Sequence, residues 1–417
     1  MLKRIRIDQV RKGMHIHDLC GSWMEHPFWK TNFALNGDKD LVRLHDSSIR
    51  ELWIDTSRGL DVHDADAVAT ASSAAQIRAA AEVALANLSV APPAPADYPL
   101  DSELAHAARL CAKARTAVTS MFQEARMGQA VNFIEAEPLV DEISASVMRN
   151  PGALISLARL KEKDDYTYMH SVAVCALMIA LARQLRLDAD TVRQAGMGGL
   201  LHDLGKSAIP LDILNKPGKL TDQEFRTVKD HPEAGHRLLL AAGRAGEIPL
   251  DVGLHHHEKT DGSGYPHGLT ADRISLFAKM GAVCDIYDAI TSDRPYKAGW
   301  DPAESLRRMA EWSAGHFDEK VFHAFVKSVG IYPIGSLVQL ESGLLGIVAS
   351  QGPDSLLKPA VRTFYSVADR RHLEPRLTEL FRPDNADRIV SVENAANWGL
   401  GDLNHLWSGG KPRAMAT

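Results

Sequence analysis

Between residues 150 and 330 apolar positions recur every three or four residues, the repeat of a helix with one buried face, so this section reads as almost wholly helical. Thr221-Asp222-Gln223-Glu224 has the Thr-x-x-Glu form of a capping box and predicts a helix start ahead of His231. Asp188-Ala189-Asp190 opens another helix, in which Gly196, Gly198 and Gly199 lower helix propensity but permit a close packing contact before His202. The most apolar run, Val172 to Ala182, is too short to span a bilayer and predicts a buried helix. Upstream, Leu104, Ala108, Cys111, Ala114, Val118 and Phe122 follow helical spacing, and Leu139, Val140, Ile143 and Val147 mark a second helix. These two either pack onto the helical section or join two copies in a homodimer.

The ends of the chain have another rhythm. Up to about residue 65, short apolar runs alternate with turn residues, as in Gly13-Met14-His15-Ile16, Leu35-Asn36-Gly37-Asp38 and Leu52-Trp53-Ile54-Asp55, which predicts a small β-containing domain. The next stretch, rich in Ala, Asp and Ser, ends in Ala91-Pro92-Pro93-Ala94-Pro95, whose prolines forbid a continuing helix. From Ile331 onward, Leu337 to Leu340, a turn at Ser342-Gly343, Leu344 to Val348 and Val361 to Val367 predict short strands, before a frayed tail from Ser408. The expected organisation is a small domain over 1–65, a linker over 66–100, connecting helices over 101–150, a helical domain over 151–330 and a β extension over 331–417.

At 417 residues and 45% hydrophobic, the chain can build several cored units. A net charge of -6 gives no basic footprint for a nucleic-acid polymer, although a small phosphate ligand in a local cationic pocket stays compatible with it. Cys20, Cys111, Cys175 and Cys284 have no CxxC spacing, which argues against a disulfide framework and thiolate zinc sites. Met-Leu-Lys-Arg-Ile-Arg at the start lacks the apolar core of a signal peptide, so the expectation is a cytoplasmic protein with no membrane span.

The candidate chemistry centres on His255-His256-His257-Glu258, which runs into Asp261-Gly262-Ser263-Gly264-Tyr265-Pro266. Any one of the eighteen histidines is by itself an ordinary surface or core residue; the combination with His170, His202-Asp203, His231 and Asp285 is not. Imidazole and carboxylate donors suit Fe, Mn, Ni, Co and Zn, and a carboxylate can bridge two ions. Asp203 is the natural bridge, with His170, His202 and Asp285 around one metal and His231, His256 and His257 around the other. Two ions roughly 3.5 to 4 Å apart would hold a bridging hydroxide and stabilise charge on a phosphoryl oxygen, the chemistry of phosphate-ester hydrolysis.

Tyr168-Met169-His170-Ser171, His202-Asp203-Leu204-Gly205-Lys206, His231-Pro232, His256-His257-Glu258, Asp261-Gly262-Ser263-Gly264-Tyr265-Pro266 and Asp285-Ile286-Tyr287-Asp288-Ala289, in that order, resemble the HD-GYP family over about residues 150 to 330. The resemblance implies an all-α HD-type catalytic domain, here flanked by the two β-containing ends. It implies a bacterial metal-dependent phosphodiesterase that opens cyclic di-GMP to linear pGpG and in some members continues to GMP. It implies His170, His202, Asp203, His231, His256, His257 and Asp285 as ligands of divalent ions, with Fe, Mn or Ni the expected metals. Lys206 is expected near the scissile phosphate, although a lysine there also suits a helix C-terminus. Tyr265 is expected against the guanine or phosphate, with Arg294 and Lys297 on the phosphates.

Some members carry a glutamate at the place of Tyr166 that recruits a third metal; tyrosine cannot readily replace it and Asp165 sits off that helix face, so two metals are expected. His255 is read as a neighbour of the site. The first sixty-odd residues look like a domain of unknown function often found ahead of HD-GYP domains. Two alternatives stand beside the hydrolase of cyclic di-GMP: a hydrolase of another nucleotide such as cyclic GMP-AMP, and a receptor that binds cyclic di-GMP and signals to a partner such as a diguanylate cyclase.

Overall fold

The structure is a computed structural model that describes residues 2–20, 33–45, 51–60, 100–129, 133, 135–159, 166–216, 218–243, 245–292, 299–352, 355–401 and 403–408. The expected linker, apart from residue 100, together with Trp23, Trp29 and the last nine residues, lies outside them. The chain divides into two compact units, Met1–Ala86 and Asn87–Thr417.

In the first unit, strands β1 (Leu2–Arg6), β2 (His15–Cys20), β3 (Phe33–Ala34) and β4 (Glu51–Asp55) form an antiparallel sheet in the order β1-β4-β2-β3. Leu52 and Ile54, two residues apart and so on one face of β4, join Ile5, Met14, Ile16, Leu35 and Leu44 in a small core. After the expected turn at Leu35–Asp38 the chain forms a helix, α1 (Asp38–His45), which the sequence reading did not include. Its apolar residues Leu41 and Leu44 sit three apart, enough to seat one face and too few to declare a period.

The second unit is built on helices. These are α2 (Leu100–Arg126), α3 (Ala136–Arg149), α4 (Pro151–Arg159), α5 (Tyr166–Gln184), α6 (Ala189–Leu201), a 3-10 turn at Leu204–Ala208, α7 (Leu211–Leu214), α8 (Asp222–Lys229), α9 (His231–Ala242), α10 (Glu247–His255), α11 (Leu276–Thr291), α12 (Pro302–His316) and α13 (Glu319–Val329). Every residue from Val172 to Ala182 in α5 is buried, so this helix is the axis that the others cover. Each of its Leu, Ile and Val side chains removes apolar surface worth roughly 1.5–3 kcal/mol from water. Helix α6 can lie against it because Gly199 has no side chain: a Cβ there would stand 2.9 Å from the Cα of Cys175.

Local signals set where these helices begin. Asp188 caps α6 by accepting from the Thr191 backbone N–H, and Thr221 and Glu224 form the reciprocal capping box of α8. One face differs from expectation. Helix α2 buries Leu104, Ala107, Leu110, Ala114, Val118, Met121, Phe122 and Ala125, whereas Ala108 is exposed, so the seam runs to one side of the stripe read through Ala108 and Cys111. Small residues at both 107 and 108 left the choice of face open to spacing alone.

Five antiparallel strands follow: β5 (Leu337–Leu340), β6 (Leu344–Ser350), β7 (Ala360–Ser366), β8 (Arg371–Glu379) and β9 (Ile389–Val392), in the order β8-β7-β6-β5-β9. The last two were not expected. Strand β8 is an edge strand, mostly exposed and carrying Pro375, so it has neither the apolar alternation nor the composition of an inner strand. Leu406 and Trp407, on the short helix α14 (His405–Ser408), pack with Ile334, Leu337, Leu345, Ile347 and Phe364; Leu157 of α4 joins them, seating the sheet on the helices. Among the described residues, no helix is long and apolar enough to cross a membrane.

Candidate metal centre

Six helices and turns of the second unit deliver one side chain each, or two, to a single buried place. His170 comes from the first turns of α5, His202 caps the C-terminus of α6, and Asp203 opens the 3-10 turn that also carries Lys206. His231 is the first residue of α9, followed by a proline that suits a first helical turn. His256 and His257 follow α10, and Asp285 lies in the middle of α11.

Their donor atoms form two sets. His170, His202 and Asp285 are within metal-ligand reach of one another, and so are Asp203, His231, His256 and His257. Asp203 turns one oxygen to each side: Oδ2 stands 3.4 Å from His202 Nε2 and 3.6 Å from His170 Nε2, and Oδ1 stands 3.3 Å from His231 Nε2 and 3.9 Å from His256 Nε2. Asp285 places Oδ1 3.0 Å from His170 Nε2 and Oδ2 3.7 Å from His257 Nδ1.

The far side of each ring is occupied. His202 Nδ1 meets the carbonyl of Gly199 at 2.8 Å, His231 Nδ1 that of Val228 at 2.7 Å, and His256 Nδ1 that of Val252 at 2.9 Å. A carbonyl only accepts, so each Nδ1 carries the proton and each Nε2 keeps its lone pair toward the centre, the tautomer a metal ligand needs. His170 is oriented by a carboxylate instead, with Nδ1 2.6 Å from Asp288 Oδ2. No role was read for Asp288 in the sequence, but its place three residues after Asp285 on one helix face was a legible signal.

Charge follows the same logic. Burial alone would raise Asp203 and Asp285, but Lys206, His202 and His231 around the first, and His170, His257 and His202 around the second, hold both well below the usual carboxylate range. Burial and the neighbouring imidazoles push His256 down to about 3 and His257 well below its ordinary value, which favours neutral rings. His202 goes the other way: burial opposes its charge, yet Asp203 and Asp285 outweigh it and raise its pKa. A field that favours positive charge on an imidazole favours a cation at the same place. His202 Nε2 and Asp203 Oδ1 are moreover buried without a hydrogen-bond partner, an arrangement that costs about 1–3 kcal/mol per group unless something else satisfies it. The donor set, its tautomers and these two orphaned atoms fit divalent metal ions.

Lys206 lies at the edge, its Nζ on Asp203 Oδ2. Its turn is held from outside by Arg126 at the end of α2, which donates to the carbonyls of Ile209 and Lys206 at 3.1 and 3.3 Å. Tyr265 stacks on His257, with ring centroids 4.7 Å apart and 28° between planes. Burial, with Asp285 and Asp203 nearby, pushes its phenol well above the ordinary range, so the hydroxyl keeps its proton. The loop bearing Tyr265 is anchored by Glu258, a buried carboxylate that accepts from the backbone N–H groups of His267 at 2.7 Å and Leu269 at 2.9 Å. His255 faces outward from the ligand set, paired with Asp251 and His267. Arg294 and Lys297 lie outside the described residues.

Comparison with known proteins gives this geometry a context. Residues 2–136 match the family model of a domain of unknown function (DUF3391), and residues 148–321 match that of the HD domain. The first of these runs past the boundary between the compact units and takes in α2. A cyclic di-GMP phosphodiesterase of Pseudomonas aeruginosa is 55% identical over 410 residues, which are 98% of this chain and 96% of that protein. A 3'3'-cGAMP-specific phosphodiesterase of Vibrio cholerae is 34% identical over 168 residues, 40% of this chain and 38% of that protein. A solved HDG"Y"P protein of Bdellovibrio bacteriovorus aligns with a TM-score of 0.47 at 18% identity, over 78% of this chain and 99% of that one.

Proposed function

The chain belongs to the HD-GYP family of cyclic di-GMP phosphodiesterases, and from that membership we propose that it hydrolyses cyclic di-GMP to linear pGpG, with divalent metal ions held by His170, His202, Asp203, His231, His256, His257 and Asp285. One observation carries the assignment: two sets of buried donors face the two oxygens of a single carboxylate, Asp203. The proposal counts two ions, one per set, drawn from Fe, Mn and Ni, since such nitrogen and oxygen donors accept several metals. Bound there, they supply charge against a phosphoryl oxygen and raise the nucleophilicity of water at neutral pH.

The protein's own groups set the rest. In the hydrolysis a water oxygen bonds to phosphorus, the P–O3′ bond breaks, and O3′ takes up a proton. Lys206, beside Asp203, is the cation placed to hydrogen-bond a phosphoryl oxygen as charge develops or to protonate O3′. Tyr265, its loop anchored through Glu258 and its ring stacked on His257, supplies a hydroxyl that donates toward the guanine or phosphate. Arg294 and Lys297 are assigned to the phosphates on sequence grounds.

Metal-loaded protein incubated with cyclic di-GMP under reducing conditions is expected to yield pGpG by chromatography; no linear product with Fe, Mn or Ni sinks the proposal. Equal concentrations of 3'3'-cGAMP in the same reaction test the neighbouring substrate named for the Vibrio relative. A tight isotherm with negligible turnover across metals would instead mark a receptor. Action in the cytoplasm, a diguanylate cyclase partner and a homodimer belong to the same proposal, and light scattering with co-purification tests the last two.

A further inference from the structure

Helix α8 ends in a cation that the motif reading left unused. Lys229 holds its ammonium 4.8 Å from the ring centroid of Phe225, one turn back on the same helix, and 5.1 Å from that of Tyr265. Tyr265 in turn stacks on His257, so two short steps lead from this ammonium to the metal-ligand set. Lys229 is only partly buried and, among the described residues, has no carboxylate partner. The aromatic faces attract the ammonium without neutralising its charge.

We infer that Lys229 is a substrate-positioning residue that binds the anionic group of the cyclic dinucleotide not under attack, the second phosphodiester. The inference rests on the reading of the site as a cyclic-dinucleotide hydrolase. Such a substrate carries two negative charges, and the metal-ligand set with Lys206 addresses the one at the reacting phosphorus. The other charge, toward which Arg294 and Lys297 are assigned on sequence grounds, gains in Lys229 a further cation that the Phe225 and Tyr265 rings hold two contacts away from the metal-ligand set. Because that phosphodiester keeps the same charge through the reaction, its contact stabilises the bound substrate and the transition state alike. The effect therefore falls on KM and not on kcat.

The test compares metal-loaded full-length protein with its Lys229→Met and Lys229→Arg variants on cyclic di-GMP and on bis(p-nitrophenyl) phosphate, which has a single charge. Methionine preserves the packing over both rings and removes the charge. K229M is expected to lose about tenfold more kcat/KM on cyclic di-GMP than on the small diester, with the loss carried by KM, and to flatten the rise of KM with salt. K229R is expected to recover most of that loss. An unchanged KM for cyclic di-GMP, an equal loss on both substrates, or a loss carried by kcat overturns the assignment. Wild-type protein that cleaves the small diester and leaves cyclic di-GMP intact overturns the substrate reading, and this assignment with it.

Discussion

At the scale of single residues, the centre depends on groups that are not candidate ligands but hold those that are. Asp288 is buried and holds His170 through a 2.6 Å contact to Nδ1, so it sets the tautomer and the orientation of that ring. Asp288→Asn keeps the shape and removes the charge. Metal affinity is expected to fall about 10- to 100-fold, the usual cost of losing such a partner, and competition against a chelator of known affinity measures it without recourse to turnover. Unaltered affinity would make Asp288 a packing residue. Away from the site, Glu304 near the start of α12 pairs with Arg307 and Arg308. Burial raises its pKa, but those two cations outweigh burial and hold the carboxyl below its ordinary 4.5. The folded state therefore takes up this proton less readily than the unfolded one, so the pair stabilises fully above that ordinary value and loses its contribution as pH falls toward the folded-state pKa. The gap in urea midpoint between wild type and Glu304→Gln is expected to be larger at pH 7 than near pH 4; a gap independent of pH would remove the ion pair as its cause.

At the scale of elements, the packing of the 3-10 turn on α9 decides whether the two halves of the site meet. A Cβ on Gly205 would stand 1.9 Å from the His231 carbonyl oxygen and 2.4 Å from the Gly235 nitrogen, all backbone atoms that cannot rotate aside. Gly205→Ala must lift the turn, with Asp203 and Lys206, away from His231. The expected cost exceeds the roughly 1–3 kcal/mol of ordinary overpacking, read as a lowered urea midpoint together with lost metal binding. Gly235→Ala, whose Cβ would meet Gly205 at 3.1 Å, is the milder comparison, and equal effects from the two would contradict this geometry. Such a contact shows where sequence reading stops. The cap at Thr221, the apolar length of α5 and the small residues before His202 are local signals, and each forms as its neighbours dictate. Gly205 and Gly235 touch although helices α7 and α8 lie between them in the chain, and no spacing rule pairs them. Strand β8 was hidden for another reason: at an exposed edge nothing selects an apolar face, so the pattern that announces a strand is never written.

At the scale of the whole molecule, the seven candidate ligands come from segments spread between residues 170 and 285, and their motif spacing named them before any geometry did. Spacing did not reveal how their far sides are tied, to the carbonyls of Gly199, Val228 and Val252 and to Asp288, because those partners depend on helix ends meeting. The arrangement makes metal a determinant of folding as well as of chemistry. Buried carboxylates and ring nitrogens aimed at one another, two of them without a hydrogen-bond partner, are costly to assemble, and a ligand that binds only the assembled form repays that cost. At a free metal concentration one hundred times Kd the gain is about 2.7 kcal/mol per independent site, somewhat less if the unfolded histidines also bind. Thermal unfolding followed with and without chelator is therefore expected to separate the two compact units: the transition of Asn87–Thr417 falls when metal is removed and climbs with the logarithm of added metal. The transition of Met1–Ala86 holds no ligand of either set and is expected to stay where it is. In Asp203→Asn, the residue whose oxygens face both sets, the metal-dependent rise should vanish, and a rise that persists in that variant would mean the stabilising ions bind elsewhere.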